Sequence, residues 1–136
     1  MTSNLIDILY RAALRLHEAR AILAHADADL IESKARLAAA ERRLDEATIR
    51  LQADAPREKA TNEVQRRAYA ILGAADEAAA VEALREAHTA GEVRHVRARA
   101  AVRAAEDMVR YHEMLISAAS LPEDLYVPPL PETVFA

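Results

Sequence analysis

Cysteine and tryptophan are both absent from the sequence. Without cysteine there is neither a disulfide framework nor a thiolate metal site. Aromatic residues make up 4% of the chain and phenylalanine occurs once, so a core built around large rings is excluded. Glycine occurs twice and proline five times, and four of the five prolines follow residue 121. With breakers missing from the body, that body reads as nearly all helix. No run approaches the roughly 18 apolar residues of a membrane-spanning helix. The opening MTSNLIDILYRAALR has no basic stretch ahead of an apolar one, so it does not read as a signal peptide. A soluble chain acting in the cytoplasm, away from any membrane, is the expectation. The net charge of −4 does not fit a general nucleic-acid binder.

What is present is alanine and leucine in a fixed rhythm. Leu9, Leu16, Leu23, Leu30, Leu37, Leu44 and Leu51 recur every seven residues, with Ala12, Ala19, Ala26, Ser33, Ala40 and Ala47 each three residues later. That 3-then-4 spacing is the seam of a coiled coil. The spacing predicts one helix over about 4–54, started by Ser3 or Asn4 and stopped by Pro56. Alanine alternating with leucine lets two helices approach closely, which favours antiparallel packing. A second seam, Val81, Leu84, His88, Gly91, His95, Ala98, Val102, Ala105, Val109, His112 and Ile116, predicts a helix over 75–119 with Asp76 at its start. Gly91 is a place where that helix softens.

Between the two runs lies REKATNEVQRRAY, which follows neither rhythm. Asn62 with Gln65 three residues on has the form of a capping box. Val64, Ala68, Ile71 and Leu72 then give one apolar edge, and Gly73 a stop. A short helix over 61–72 is expected, laying that edge on the end of the hairpin. The fold class is therefore all-α: a long antiparallel hairpin with a short connecting helix, forming one domain over 1–120. Two helices leave a face uncovered, so a homodimer completing a bundle is expected. Residues 121–136 are Pro-rich and are expected to form a tail of extended geometry. It carries Leu125, Tyr126, Val127, Leu130 and Phe135, which read either as packing back on the bundle or as docking to another protein.

Lys59, Thr61, Asn62, Glu63, Arg66, Ala68 and Tyr69, set between two Ala- and Leu-rich coils, resemble small helical accessory proteins of tailed bacteriophages and prophages. Those proteins are often found beside DNA-replication or recombination functions. The resemblance implies a phage-type accessory protein in the host cytoplasm and carries no catalytic residue with it. It covers residues 59–69 and the coiled-coil frame, and the Pro-rich tail lies outside it.

Chemistry-bearing patterns are few. His17 and His25 lie off the leucine seam and are eight apart, which misses the i, i+4 spacing of a helical metal pair. Histidines within a seam read as neutral hydrogen-bonded spacers, with a pH-sensitive seam and a metal site as the other readings. No phosphate-binding glycine loop is present. No enzyme activity, metal or cofactor is expected. The strongest charge feature is RHVRARAAVR, residues 94–103. Arg99, Arg103 and Arg110 fall on the helix side opposite its apolar seam, and the short insert adds Lys59, Arg66 and Arg67. This set reads as a solvated face or as a phosphate-contacting surface. Glu106 with Arg110 and Arg103 with Asp107 read as i, i+4 pairs, and Arg94 as a partner for Asp27 or Glu32. The functional expectation is a non-enzymatic interaction or assembly protein that binds another protein. The alternative is a nucleic-acid accessory protein using the arginine stripe.

Overall fold

The computed structural model describes residues 2–56 and 62–120. Its helices are α1 (Thr2–Asp54), α2 (Glu63–Gly73) and α3 (Ala75–Ala119), and the described residues contain no strand. α1 and α3 pack along each other, so the all-α helical hairpin read from the two seams is the fold. No helix among the described residues is long and apolar enough to cross a membrane.

The helix ends differ in detail from the sequence reading. α1 begins at Thr2, so Ser3 and Asn4 fall in its first turn and do not precede it. It stops at Asp54, two residues before Pro56, because the residue preceding a proline is pushed out of helical geometry. Asn62 does cap α2: its backbone is extended and its side-chain oxygen accepts the Gln65 N–H at 2.8 Å. Gly73 is the last residue of α2 and has no positive φ, so it is not a left-handed stop. The turn falls on Ala74, whose N–H donates to Ala70 O at 2.9 Å. Gly73 serves close approach instead, since a Cβ there would lie 2.9 Å from Leu51 Cδ1. Asp76 sits in the first turn of α3 beside Glu77, where acidic side chains favour the helix dipole, and is not its cap. α3 runs through Gly91 without a break.

The chain divides into two compact units, with boundaries between Asp27 and Ala28 in α1 and between Val93 and Arg94 in α3. In the first unit the direction of packing follows from paired side chains. Arg20 meets Glu106 and Asp27 meets His95, so residue numbers rise along α1 as they fall along α3. Between residues 11 and 27 of α1, only the seam positions Ala12, Leu16, Ala19, Leu23 and Ala26 escape full exposure. Between 94 and 104 of α3, only His95, Ala98 and Val102 do.

The second unit shows the same order by itself. Ser33 meets His88 and Glu41 meets Arg85, again antiparallel. Its most covered side chains are small: Ala70 at 0% exposure, Ala74 at 1%, Val81 at 2% and Ala47 at 4%. The leucines of the seam are only half-buried. Short side chains let the backbones come close enough for dispersion contacts, and the longer leucines then flank the seam without being enclosed. α2 joins this unit through Ala70 and the Gly73–Leu51 approach. The edge expected to lie on the hairpin end does not do so: Val64, Ile71 and Leu72 are exposed. The contact is made by α2's small residues, which turns the large apolar ones outward.

Filling the seam tests this packing. Ala40→Leu is expected to destabilise the protein by about 1–3 kcal/mol through overpacking. Ala38→Leu, on the exposed side of the same turn, is expected to stay within about 0.5 kcal/mol of the parent. Urea unfolding midpoints check both.

Candidate functional site

Polar residues interrupt both seams. In the second unit Ser33 Oγ lies 2.8 Å from His88 Nδ1 and 3.0 Å from Leu30 O. His88 Nε2 lies 2.9 Å from Glu92 Oε1. A carboxylate only accepts, so the Nε2–H donates to Glu92. Ser33 has one hydroxyl hydrogen for two acceptors. If it goes to His88 Nδ1, the ring is neutral. If it goes to Leu30 O, Ser33 accepts from an Nδ1–H and the ring carries both protons. Every polar atom is satisfied in the neutral arrangement and in the charged one. In the first unit His95 Nε2 bonds Asp27 Oδ1. His88 and His95 are thus hydrogen-bonded seam residues.

Glu92 as the partner of His88 is a helical i, i+4 relation that reading the seams alone misses. Glu92 and His95 also form a Glu-x-x-His stretch, the spacing found in carboxylate-bridged metal bundles. Here each side chain engages a different partner, and among the described residues no three His, Asp or Glu side chains gather into a metal site.

Charge lines one edge of each unit. Arg20 reaches Glu106 at 3.7 Å in the first, and Arg85 reaches Glu41 at 3.5 Å in the second. Arg20, Asp27, Lys34 and Glu41 recur every seven residues on α1 with alternating sign, and Arg85, Glu92, Arg99 and Glu106 do so on α3. That alternation was available in the sequence and encodes antiparallel register. One expected local pair gives way to it, and a second gives way to another partner on the same helix. Glu106 goes across to Arg20 and not to Arg110, while Asp107 faces Arg110 at 3.9 Å and not Arg103. Asp27 takes His95 in place of Arg94. Glu32 takes Arg36 on its own helix.

The structure places the candidate arginines as follows. Arg99, Arg103 and Arg110 are exposed on α3 in the first unit, with Arg110 beside Asp107. Arg99 shares the heptad line of Glu106, which reaches across to α1, so it flanks the seam and does not lie opposite it. Arg66 and Arg67 are exposed on α2 in the second unit, with Arg67 held by Glu63 at 2.8 Å. Lys59 lies outside the described residues, as do Leu125, Tyr126, Val127, Leu130 and Phe135. The most prominent surface feature missed by the sequence reading is the outward edge of α2, with Val64 at 76%, Ile71 at 67% and Leu72 at 78% exposure. Helical spacing identified that edge, but not which way it would face.

The Ser33–His88 pair yields a sign-changing test. Ser33→Ala is expected to cost about 1 kcal/mol, because His88 Nδ1 loses its partner. Ser33→Ala with His88→Leu is expected to recover that loss or exceed it, since an apolar layer replaces a polar one. Urea unfolding of both variants measures this. Compared with known proteins, the chain matches no protein family, no curated protein and no solved structure.

Proposed function

We propose that this chain is a non-enzymatic helical interaction protein that acts by binding another protein, with the exposed apolar edge of α2 as its contact. The observation that carries this reading is the orientation of Val64, Ile71 and Leu72. α2 has 11 residues, fewer than an isolated helix needs to be stable in water. It is nevertheless capped by Asn62 and anchored through Ala70, which is fully covered. A short helix fixed by its small residues, with its large apolar ones in water, has the form that docks into a hydrophobic groove of a partner. Homodimerisation belongs to the same reading, since the half-buried leucines of a two-helix hairpin are the surface a second copy would cover. The resemblance of residues 59–69 supports a phage-type accessory protein of the host cytoplasm.

A second reading rests on a separate observation. Arg99 and Arg103 are exposed, and among the described residues neither has a carboxylate partner. With Arg110, Arg66, Arg67 and Lys59 they would contact phosphates of a nucleic acid.

The two readings differ in their response to salt, since phosphate binding weakens steeply with it and apolar docking is nearly insensitive. Ile71→Glu with Leu72→Glu changes only exposed positions, so helicity and stability are expected to hold. Photo-crosslinking in cells from a reactive residue in place of Tyr69 is expected to give discrete protein adducts that this variant loses. Adducts unchanged in the variant would contradict the α2 contact. In fluorescence anisotropy with labelled single- and double-stranded DNA at about 50 and 200 mM salt, no binding is expected. Binding that collapses with salt and is lost in Arg99→Glu/Arg103→Glu would establish the second reading instead.

A further inference from the structure

In the first unit α1 and α3 border a groove of about 360 Å³. Its apolar lining includes Ile8, Ala105 and Met108, and its polar lining is Arg11, Arg15 and His112. Arg11 and Arg15 are four residues apart on one face of α1 and are exposed. Among the described residues neither has a carboxylate partner. His112 Nδ1 is buried and has no hydrogen-bond partner. A buried polar atom left unpaired costs free energy that a ligand can return. Two guanidinium groups and an imidazole nitrogen around an apolar slot select carboxylates set beside apolar side chains. Guanidinium groups bind carboxylates through paired N–H donors.

The chain itself carries a segment of that chemistry. Residues 121–130, LPEDLYVPPL, hold Glu123 and Asp124 beside Leu125, Tyr126, Val127 and Leu130, with no basic residue. The tether length suits the groove. An extended chain covers at most about 3.5 Å per residue, so Asp124 lies within about 14 Å of Ser120, and Val127 within about 25 Å. Along α3, His112 is about 12 Å and Met108 about 18 Å before Ser120 at 1.5 Å per residue. The carboxylates therefore come within range of His112 and the arginines, and the apolar residues within range of Met108.

We propose that this groove is the docking site for the chain's own segment 121–130, with Glu123 and Asp124 answering Arg11, Arg15 and His112, and Leu125 and Tyr126 answering Ile8 and Met108. Being tethered, the segment competes with any outside acidic, apolar peptide at a high effective concentration. Occupancy of the groove by another protein thus requires displacement of the chain's own segment.

The lack of native cysteine permits a direct test in the full chain. A nitroxide is attached to Thr133→Cys, beyond the docking residues, and amide signals are compared with the reduced, diamagnetic sample. Amides lining the groove around Arg11, Arg15 and Met108 are expected to lose intensity. The loss is expected to disappear in Arg11→Glu/Arg15→Glu with helicity unchanged, and to return when Glu123→Arg/Asp124→Arg is added. No loss around the groove, or a loss that survives charge reversal of the arginines, would overturn the proposal. Mixing spin-labelled chains with unlabelled, isotope-enriched ones is expected to leave the enriched groove amides around Arg11, Arg15 and Met108 intact, whether or not two copies pair. Broadening in that mixture would assign the segment to a second copy and overturn docking within one chain.

Discussion

Close approach of two helix backbones across alanine is the constraint on which the rest of this structure depends. Alanine buries little area, so it contributes little by removing apolar surface from water. Its value lies in what it permits. With Ala12 and Ala98 buried in the first unit and Ala40 and Ala47 in the second, the paired helices come near enough for many small dispersion contacts to add up. The same geometry leaves the leucines half-covered and sets charged side chains within reach across each unit. It also allows a hydroxyl on α1 to meet an imidazole on α3. A wider separation imposed by leucine at the alanine positions would remove all of these together.

Packing by small residues specifies distance better than register, because one alanine resembles the next. Register needs features that differ from turn to turn. Ser33 opposite His88 is one such feature, and His95 opposite Asp27 is another. A slip of one heptad in either direction sets one of these polar groups against a valine, Ser33 against Val81 or Asp27 against Val102. The alternating charges along the edge act in the same direction. Arg20 with Glu106 and Glu41 with Arg85 are exposed pairs, worth little individually. Their contribution is discrimination, since a one-heptad slip sets like charges opposite each other.

Much of the frame was legible in the sequence, because seven-residue spacing is a property of position alone. The seam residues of α1 from Ala12 to Leu37 are the ones withdrawn from solvent, and Asn62 caps α2 as its spacing to Gln65 indicated. Other features were not legible, for identifiable reasons. The apolar edge of α2 was visible as a pattern, but its direction is set by the covered Ala70 and by the Gly73–Leu51 approach, which are tertiary facts. Arginine partners were misassigned within one helix because cross-helix partners compete for the same carboxylates, as Glu106 shows. The groove beside His112 depends on side chains from two helices far apart in sequence, so no local motif announces it.

The proposed function follows from what the hairpin leaves uncovered. A frame of small residues holds shape without enclosing its larger apolar side chains, which stay available for contact. The antiparallel register on which this rests is tested most directly by disulfide formation in an otherwise cysteine-free chain. Under mild oxidation, Ser33→Cys with His88→Cys is expected to close within one molecule, while Ala40→Cys with His88→Cys, shifted by one heptad, is not. Equal closure of the two pairs, or only intermolecular products from the first, would contradict the account.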